Sequence, residues 1–466
     1  MDKPMNESSN LSTDVVSDER LPTTDSAPRT EMEVTRRQVL SGIGAAAAVA
    51  AAGMAVPARA TRGTAIPPVE TISSATFSAT SGIALQAPPT TAPGILVLLT
   101  LYGGNDGLDT VVPYSSSVYQ AARGELAVRP EQVLKLDSEL GLHPAMVGMK
   151  GFWDRKKLAI IQGVGYANPN RSHFRSMDIW QSGVSDQYEV SGWLGRWQDA
   201  TSTDPLRMLS IGPSVPRALV GLKGGGGSAL PNGQVALPGG VGVTNAFVEL
   251  GKGTAGSELG VWGAKVGASV TNLARVVDQL GPVLKAGSQA AVSTSLEGGA
   301  AANGDNDNVL ASQLDDVATL IRGGAPTRVY SVSLGGFDNH ATEREQHARL
   351  LSIVDTALSD FLTKLSSDPR AAAVTILVYS EFGRRVQANL SVGTDHGTAA
   401  PVLVVGPKVK GGFYGETPSL TNLDQGDLRF TTDFRAVYAS VLANVLGVDP
   451  SVSLGSNSPA PIPFMS

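Results

Sequence analysis

Only five histidines occur in the 466 residues, at positions 143, 173, 340, 347 and 396, and several stand beside acids or hydroxyls in short polar segments. Asp338 and His340 lie two apart in Gly335-Gly-Phe-Asp-Asn-His340. In an extended loop both point to the same side, and a carboxylate with an imidazole is a standard mixed set for zinc or manganese. Asp395 and His396 are adjacent in Gly393-Thr-Asp-His-Gly-Thr398, and Glu381 follows Ser380 in Ser-Glu-Phe-Gly-Arg. Tyr102-Gly-Gly-Asn-Asp-Gly-Leu-Asp109 offers Asn105, Asp106 and Asp109 as oxygen ligands on a turn that its paired glycines permit. The same residues also make a good plain turn.

Asn170-Arg-Ser-His-Phe-Arg-Ser176 brings a hydroxyl, an imidazole and two guanidinium groups together. Ser172 is the nucleophile candidate, with His173 or a metal lowering the effective pKa of its hydroxyl. Arg171 and Arg175 present rigid forks that suit phosphate or sulfate oxygens. The alternative is a surface loop whose arginines pair with nearby acids. His347 sits within a helical pattern and reads as a helix-face residue. His143, in Gly-Leu-His-Pro, reads as a structural residue at a helix start, with a pocket role left open.

The elements that must position these groups are legible as apolar runs. Residues 94–101, 158–162, 328–334, 374–379 and 401–405 are continuous enough for strands buried on both faces. Residues 343–365 place Leu350, Leu351, Val354, Leu358, Phe361, Leu362 and Leu365 on one helical face. Asp433 is a natural N-cap for a closing helix through Leu446. Buried strands alternating with amphipathic helices predict an α/β fold with a mostly parallel central sheet. Ligands in such sheets bind beyond the carboxyl ends of the strands. Asp106, Asp338, His340, Glu381, Asp395 and His396 fall near strand ends of this sheet, the last two just before the run 401–405, and together favour a divalent metal held by oxygen and nitrogen. Glycine-rich residues 221–243 and the polar stretch 293–308 read as surface insertions, and neither fits a nucleotide-binding fingerprint.

The amino-terminal region carries a different message. Thr35-Arg-Arg-Gln-Val-Leu40 is a paired-arginine element, an apolar run reaches Val56, and Ala58-Arg-Ala60 supplies a cleavage site. The expectation is a twin-arginine signal over residues 1–60 with a disordered n-region, a linker over 61–92, and one domain over 93–466. A twin-arginine translocase and a signal peptidase are the partners this implies. The destination is periplasmic, cell-wall-associated or extracellular. The apolar run is Ala- and Gly-rich and at the short end for a spanning helix, so no stable membrane anchor is expected. With no cysteine in the chain, thiolate chemistry and disulfides are excluded. A net charge of −6 without a Lys/Arg block leaves no footprint for nucleic acid.

With Gly-Leu-His-Pro (141–144), Asn-Arg-Ser-His-Phe (170–174), Gly-Trp-Leu-Gly-Arg-Trp (192–197) and Thr-Asp-Phe-Arg (432–435), these motifs resemble the bacterial family filed as domain of unknown function 1501. That family is similar in turn to the alkaline phosphatase and sulfatase superfamily. The resemblance implies an alkaline-phosphatase-like domain with helices on both faces of the sheet. It also implies a metal-dependent hydrolase of phosphate or sulfate esters, using one or two ions of zinc, manganese or calcium and a small-molecule ester substrate. Asp106, Asp338, His340, Glu381 and His396 would hold metal, Ser172 or a water would attack, and Arg171, Arg175 or Arg384 would bind ester oxygens. Phe382 stands where the superfamily usually has a second histidine, leaving that place to Asp395 or His173. A non-catalytic envelope or extracellular binding protein on the same fold is the alternative.

Overall fold

A computed structural model describes residues 94–223, 226–230, 274–284 and 309–465, with the single residues 249 and 272. The expected signal over 1–60, the linker over 61–92 and the stretch 293–308 lie outside the described residues, as does most of 221–243.

Nine strands form one sheet. In chain order they are β1 (Ile95–Leu101), β2 (Leu158–Gly165), β3 (Met208–Ser210), β4 (Ser228–Ala229), β5 (Val329–Leu334), β6 (Val374–Ser380), β7 (Ala400–Val405), β8 (Gly412–Tyr414) and β9 (Thr432–Asp433). They are arranged β8-β2-β7-β6-β1-β5-β3-β4, with β9 also paired to β2. Every pairing is parallel except the two made by β7, which runs against β2 and β6.

Helices cover both faces because successive strand residues point to opposite sides. Val97, Leu99 and Leu101 of β1 join a core with α2 (Val147–Asp154), α5 (Val309–Arg322) and α6 (Glu343–Leu365). Leu96 and Leu98 join the opposite core with α3 (His173–Ser182), α4 (Trp193–Thr201) and α7 (Phe434–Val441). A further short helix, α1 (Ser117–Arg123), follows β1. Expected strands and helices thus fall where the apolar runs placed them, and the closing helix changes to a π-helical turn over Leu442–Leu446. No helix among the described residues is long and apolar enough to cross a membrane.

Two features of the sheet bring distant segments together. Leu101 pairs with Leu334 and with Ser380, so β1, β5 and β6 end level and release their following turns on one edge. The reversed β7 begins at that same edge, because Ala400 pairs with Val164 near the end of β2. A segment preceding a strand therefore meets four that follow strands, those after β1, β2, β5 and β6.

Candidate metal centre

Each turn at this edge delivers a side chain. After β5, Asp338 and His340 emerge beneath Gly103, which has φ +118 and whose missing Cβ would lie 2.4 Å from the Asp338 nitrogen. Glycine is required there for both reasons. Before β7, residues 395–398 run antiparallel to 383–385, with Gly383 N donating to Thr398 O at 2.8 Å and Arg385 N to Asp395 O at 3.0 Å. That ladder fixes His396. After β2, Tyr166 OH accepts from Asn170 N and Asn170 Oδ1 accepts from Ser172 N, so the chain turns and starts α3 at His173.

Four groups converge. Asp338 Oδ1 lies 2.9 Å from His340 Nε2 and 3.0 Å from His396 Nε2, while Asp338 Oδ2 lies 3.3 Å from His173 Nε2. The His340 and His396 Nε2 atoms are 3.0 Å apart. Their outward nitrogens are held separately. His173 Nδ1 lies 2.8 Å from Glu381 Oε1, His396 Nδ1 lies 2.8 Å from the Arg171 carbonyl, and His340 Nδ1 lies 3.5 Å from Asp395 Oδ1.

The tautomers follow from these partners. A carbonyl or a carboxylate can only accept, so Nδ1 of His396 and of His173 carries a proton, and Nε2 is the nitrogen each ring can offer inward to a metal. Those Nε2 atoms converge on a carboxylate, an arrangement that suits a cation at its centre. His173 Nε2 is in fact a buried nitrogen without a hydrogen-bond partner. The residues present fit a divalent metal, and outward acceptors on ligand imidazoles are the usual way of orienting them. Burial alone would push the Asp338 carboxyl up, but the hydrogen bond and the guanidinium charge of Arg384 hold it at about 2, so it is anionic. The four side chains are 22–47% exposed, open enough for a ligand to reach the centre.

Other expected site residues are placed differently. Asp106 caps the helical turn Gly107–Thr110 and is ion-paired with Arg123; both are buried and neither contacts the imidazoles. Glu381 stands one bond outside the cluster, behind His173, and also accepts from Gly103 N at 2.9 Å and Ser380 Oγ at 2.9 Å. Asp395 is exposed, behind His340. Arg384 is buried, donating to Asp338 Oδ1 at 2.8 Å and to the carbonyls of Gly103, Gly104, Phe337 and Thr394, so it clamps the turns together. Arg171 is ion-paired with the buried Asp427. Arg175 donates to the Gln187 carbonyl at 3.2 Å. Ser172 is exposed, immediately before His173 at the start of α3. Phe382, in the place noted for its lack of a histidine, packs its ring 4.9 Å from His173 and 4.8 Å from His396.

Residues 301–450 match the family described as Protein of unknown function (DUF1501). The DUF1501 match contains Asp338, His340, Glu381, Asp395 and His396, whereas His173 lies outside it and is brought in by α3. No curated protein matches the sequence. Among solved structures the chain is similar to a protein in the alkaline phosphatase superfamily from Vibrio parahaemolyticus, at 10% identity over 79% of this chain and 70% of that one, TM-score 0.37. It is similar to the lipoteichoic acid synthase LtaP from Listeria monocytogenes at 7% identity over 76% and 72%, TM-score 0.29. A magnesium-bound variant of TAB5 alkaline phosphatase is 8% identical over 69% and 94%, TM-score 0.30.

A second polar group, not recognised as a cluster from the sequence, joins residues inside and outside the matched segment. His347 is buried with Nε2 3.0 Å from Asn105 Oδ1 and Nδ1 3.6 Å from Asp109 Oδ2. Burial pulls the His347 pKa down, yet the adjacent carboxylate of Asp109 leaves it raised. His143, 6.2 Å from His347 between ring centroids, is pushed down to about 4 by burial. Glu343, buried and accepting from Thr394 Oγ1 at 2.7 Å, is pushed up to about 7 by burial and by the charge of Asp106. His347, one turn into α6, has its partners Asn105 and Asp109 more than two hundred residues away, so no local pattern marks this cluster.

Proposed function

We propose that this chain is an exported, metal-dependent hydrolase of phosphate or sulfate esters, with one metal held by His173, Asp338, His340 and His396. The convergence of the His173 and His396 Nε2 atoms on an anionic Asp338 carries this reading. Among the described residues, the only group of side chains with metal-binding spacing is His173, Asp338 and His396, and His340 adjoins it, which supports one ion. A nitrogen-rich donor set suits zinc or manganese better than calcium, which prefers oxygen alone. Such an ion supplies Lewis acidity to an ester oxygen and lowers the pKa of water.

The chain's own groups do the rest. Glu381 and the Arg171 carbonyl keep two imidazoles in the metal-binding tautomer. Arg384 fixes Asp338 and keeps it anionic. Ser172, next to ligand His173 and open to solvent, is the nucleophile, and Arg175 is the guanidinium left to meet ester oxygens. Paired arginines Arg36 and Arg37, the apolar run and Ala58-Arg-Ala60 support the export step.

Turnover of 4-nitrophenyl phosphate and 4-nitrophenyl sulfate by the metal-loaded protein tests the reading. Release of nitrophenol, lost in Ser172→Ala with metal content unchanged, is expected. Tight binding of these esters without turnover would instead favour a non-catalytic binding protein built on the same site.

A further inference from the structure

Two arginines meet at the edge of the sheet opposite the metal centre. Arg207 and Arg328 immediately precede β3 and β5, and Arg328 N donates to Arg207 O at 2.8 Å, so the two are cross-strand neighbours. Both turn onto one aromatic ring. Arg207 Cζ lies 4.5 Å from the ring centroid of Trp197 on α4, and Arg328 Cζ lies 5.9 Å from it. Two like charges are therefore gathered at a single indole.

Their partners do not balance those charges. Arg328 donates Nε to the Gly94 carbonyl at 2.6 Å and a terminal nitrogen to the carbonyls of Val445 and Leu446 at 3.1 and 3.4 Å, all neutral acceptors. Among the described residues the one carboxylate whose charge bears on either arginine is Asp204. It forms no ion pair with Arg207, and its Oδ1 accepts from Leu206 N at 3.1 Å. Arg207 Nε and Trp197 Nε1 are both buried donors without a hydrogen-bond partner, although buried polar groups are nearly always satisfied. Attraction between a cation and an aromatic face, about 0.5–2 kcal/mol, does not satisfy an N–H. Burial and the like charge of Arg207 push Arg328 down to about 10, as befits a cation short of counter-charge.

We propose that Arg207, Arg328 and Trp197 form a binding site for a small tetrahedral oxyanion, phosphate or sulfate. Such an ion supplies both things the cluster lacks. Its charge answers the two guanidinium groups, and its oxygens accept from the Arg207 fork and from the indole N–H. Donors on three separate side chains suit an anion whose oxygens point in several directions better than a flat carboxylate. Arg207 is half-buried, so an ion can reach it from solvent. The site lies at the far end of β5 from Asp338 and does not depend on the hydrolase reading.

Titration of the full chain with sulfate and with phosphate, at constant ionic strength in chloride, tests this by heteronuclear NMR of its five indole N–H groups. The signal absent from Trp197→Phe belongs to Trp197, and it is expected to shift saturably with either anion. The shift is lost in Arg207→Gln. In Arg207→Lys, which keeps the charge without the fork, it needs more anion. It persists in Asp338→Ala, which separates this site from the metal centre. A Trp197 signal that ignores both anions, one that shifts equally in Arg207→Gln, or one silenced by Asp338→Ala overturns the proposal.

Discussion

Glu381 Oε1 lies 2.8 Å from His173 Nδ1, and the same carboxylate, 2% exposed, takes two further hydrogen bonds from Gly103 N and Ser380 Oγ. It stands directly behind a nitrogen that faces the centre. Removing its charge while keeping its shape, in Glu381→Gln, should weaken metal binding about 10- to 100-fold. The variant should still reach the native metal content at saturation. Competition with a chelator measures this, and native affinity in the variant would deny Glu381 its orienting role.

Asp106 gives the opposite expectation. Its carboxylate is enclosed with Arg123, which also donates to the carbonyls of Val386 and Arg385 at 2.8 and 2.9 Å. Asp106→Ala leaves a buried guanidinium without its anion, a loss of about 3–5 kcal/mol. Urea unfolding should show that loss, and the folded fraction should bind metal as the native protein does. A folded variant without metal would make Asp106 a ligand after all.

The contrast between these two acids shows what the sequence could and could not reveal. Both follow a buried strand and stand among glycines, and strand-end position is visible in the apolar runs. Whether a carboxylate faces the centre, backs a ligand or pairs with arginine depends on partners far along the chain. Arg123 is 17 residues from Asp106, and His173 is 208 from Glu381. No local spacing encodes those meetings. The reversal of β7, which brings His396 to the others, is likewise invisible in a run that reads the same in either direction. Phe382 was legible as a departure, and its ring now explains itself as packing for two imidazoles.

Glu343 makes stability depend on pH. Its carboxyl is raised to about 7 by burial and Asp106, so the folded chain holds a proton that the unfolded chain, near its ordinary carboxylate value, gives up. This contribution is fully present below the unfolded pKa and is lost as pH rises towards about 7. In Glu343→Gln the amide oxygen can still accept from Thr394, and no carboxyl remains to ionise. The variant should gain on the native protein between pH 5 and 7 by on the order of 1–3 kcal/mol. Denaturant midpoints across that range check it, and parallel profiles for the two proteins would contradict it.

The proposed export rests on Arg36 and Arg37. Arg36→Lys with Arg37→Lys keeps charge and length but removes the paired guanidinium groups, so the protein should stay uncleaved in the cytoplasm. Fractionation with amino-terminal sequencing reads the outcome. Native protein beginning at Thr61 outside the cytoplasm is expected, and unchanged export of the double variant would remove the twin-arginine assignment.

The metal content of the purified protein, measured by elemental mass spectrometry after exhaustive dialysis, tests the central claim most directly. One equivalent of zinc or manganese is expected in the native chain, lost in both His173→Ala and Asp338→Ala while circular dichroism shows the fold retained. A folded native protein that holds no metal and takes up none when offered, or variants that keep the full equivalent, would contradict it.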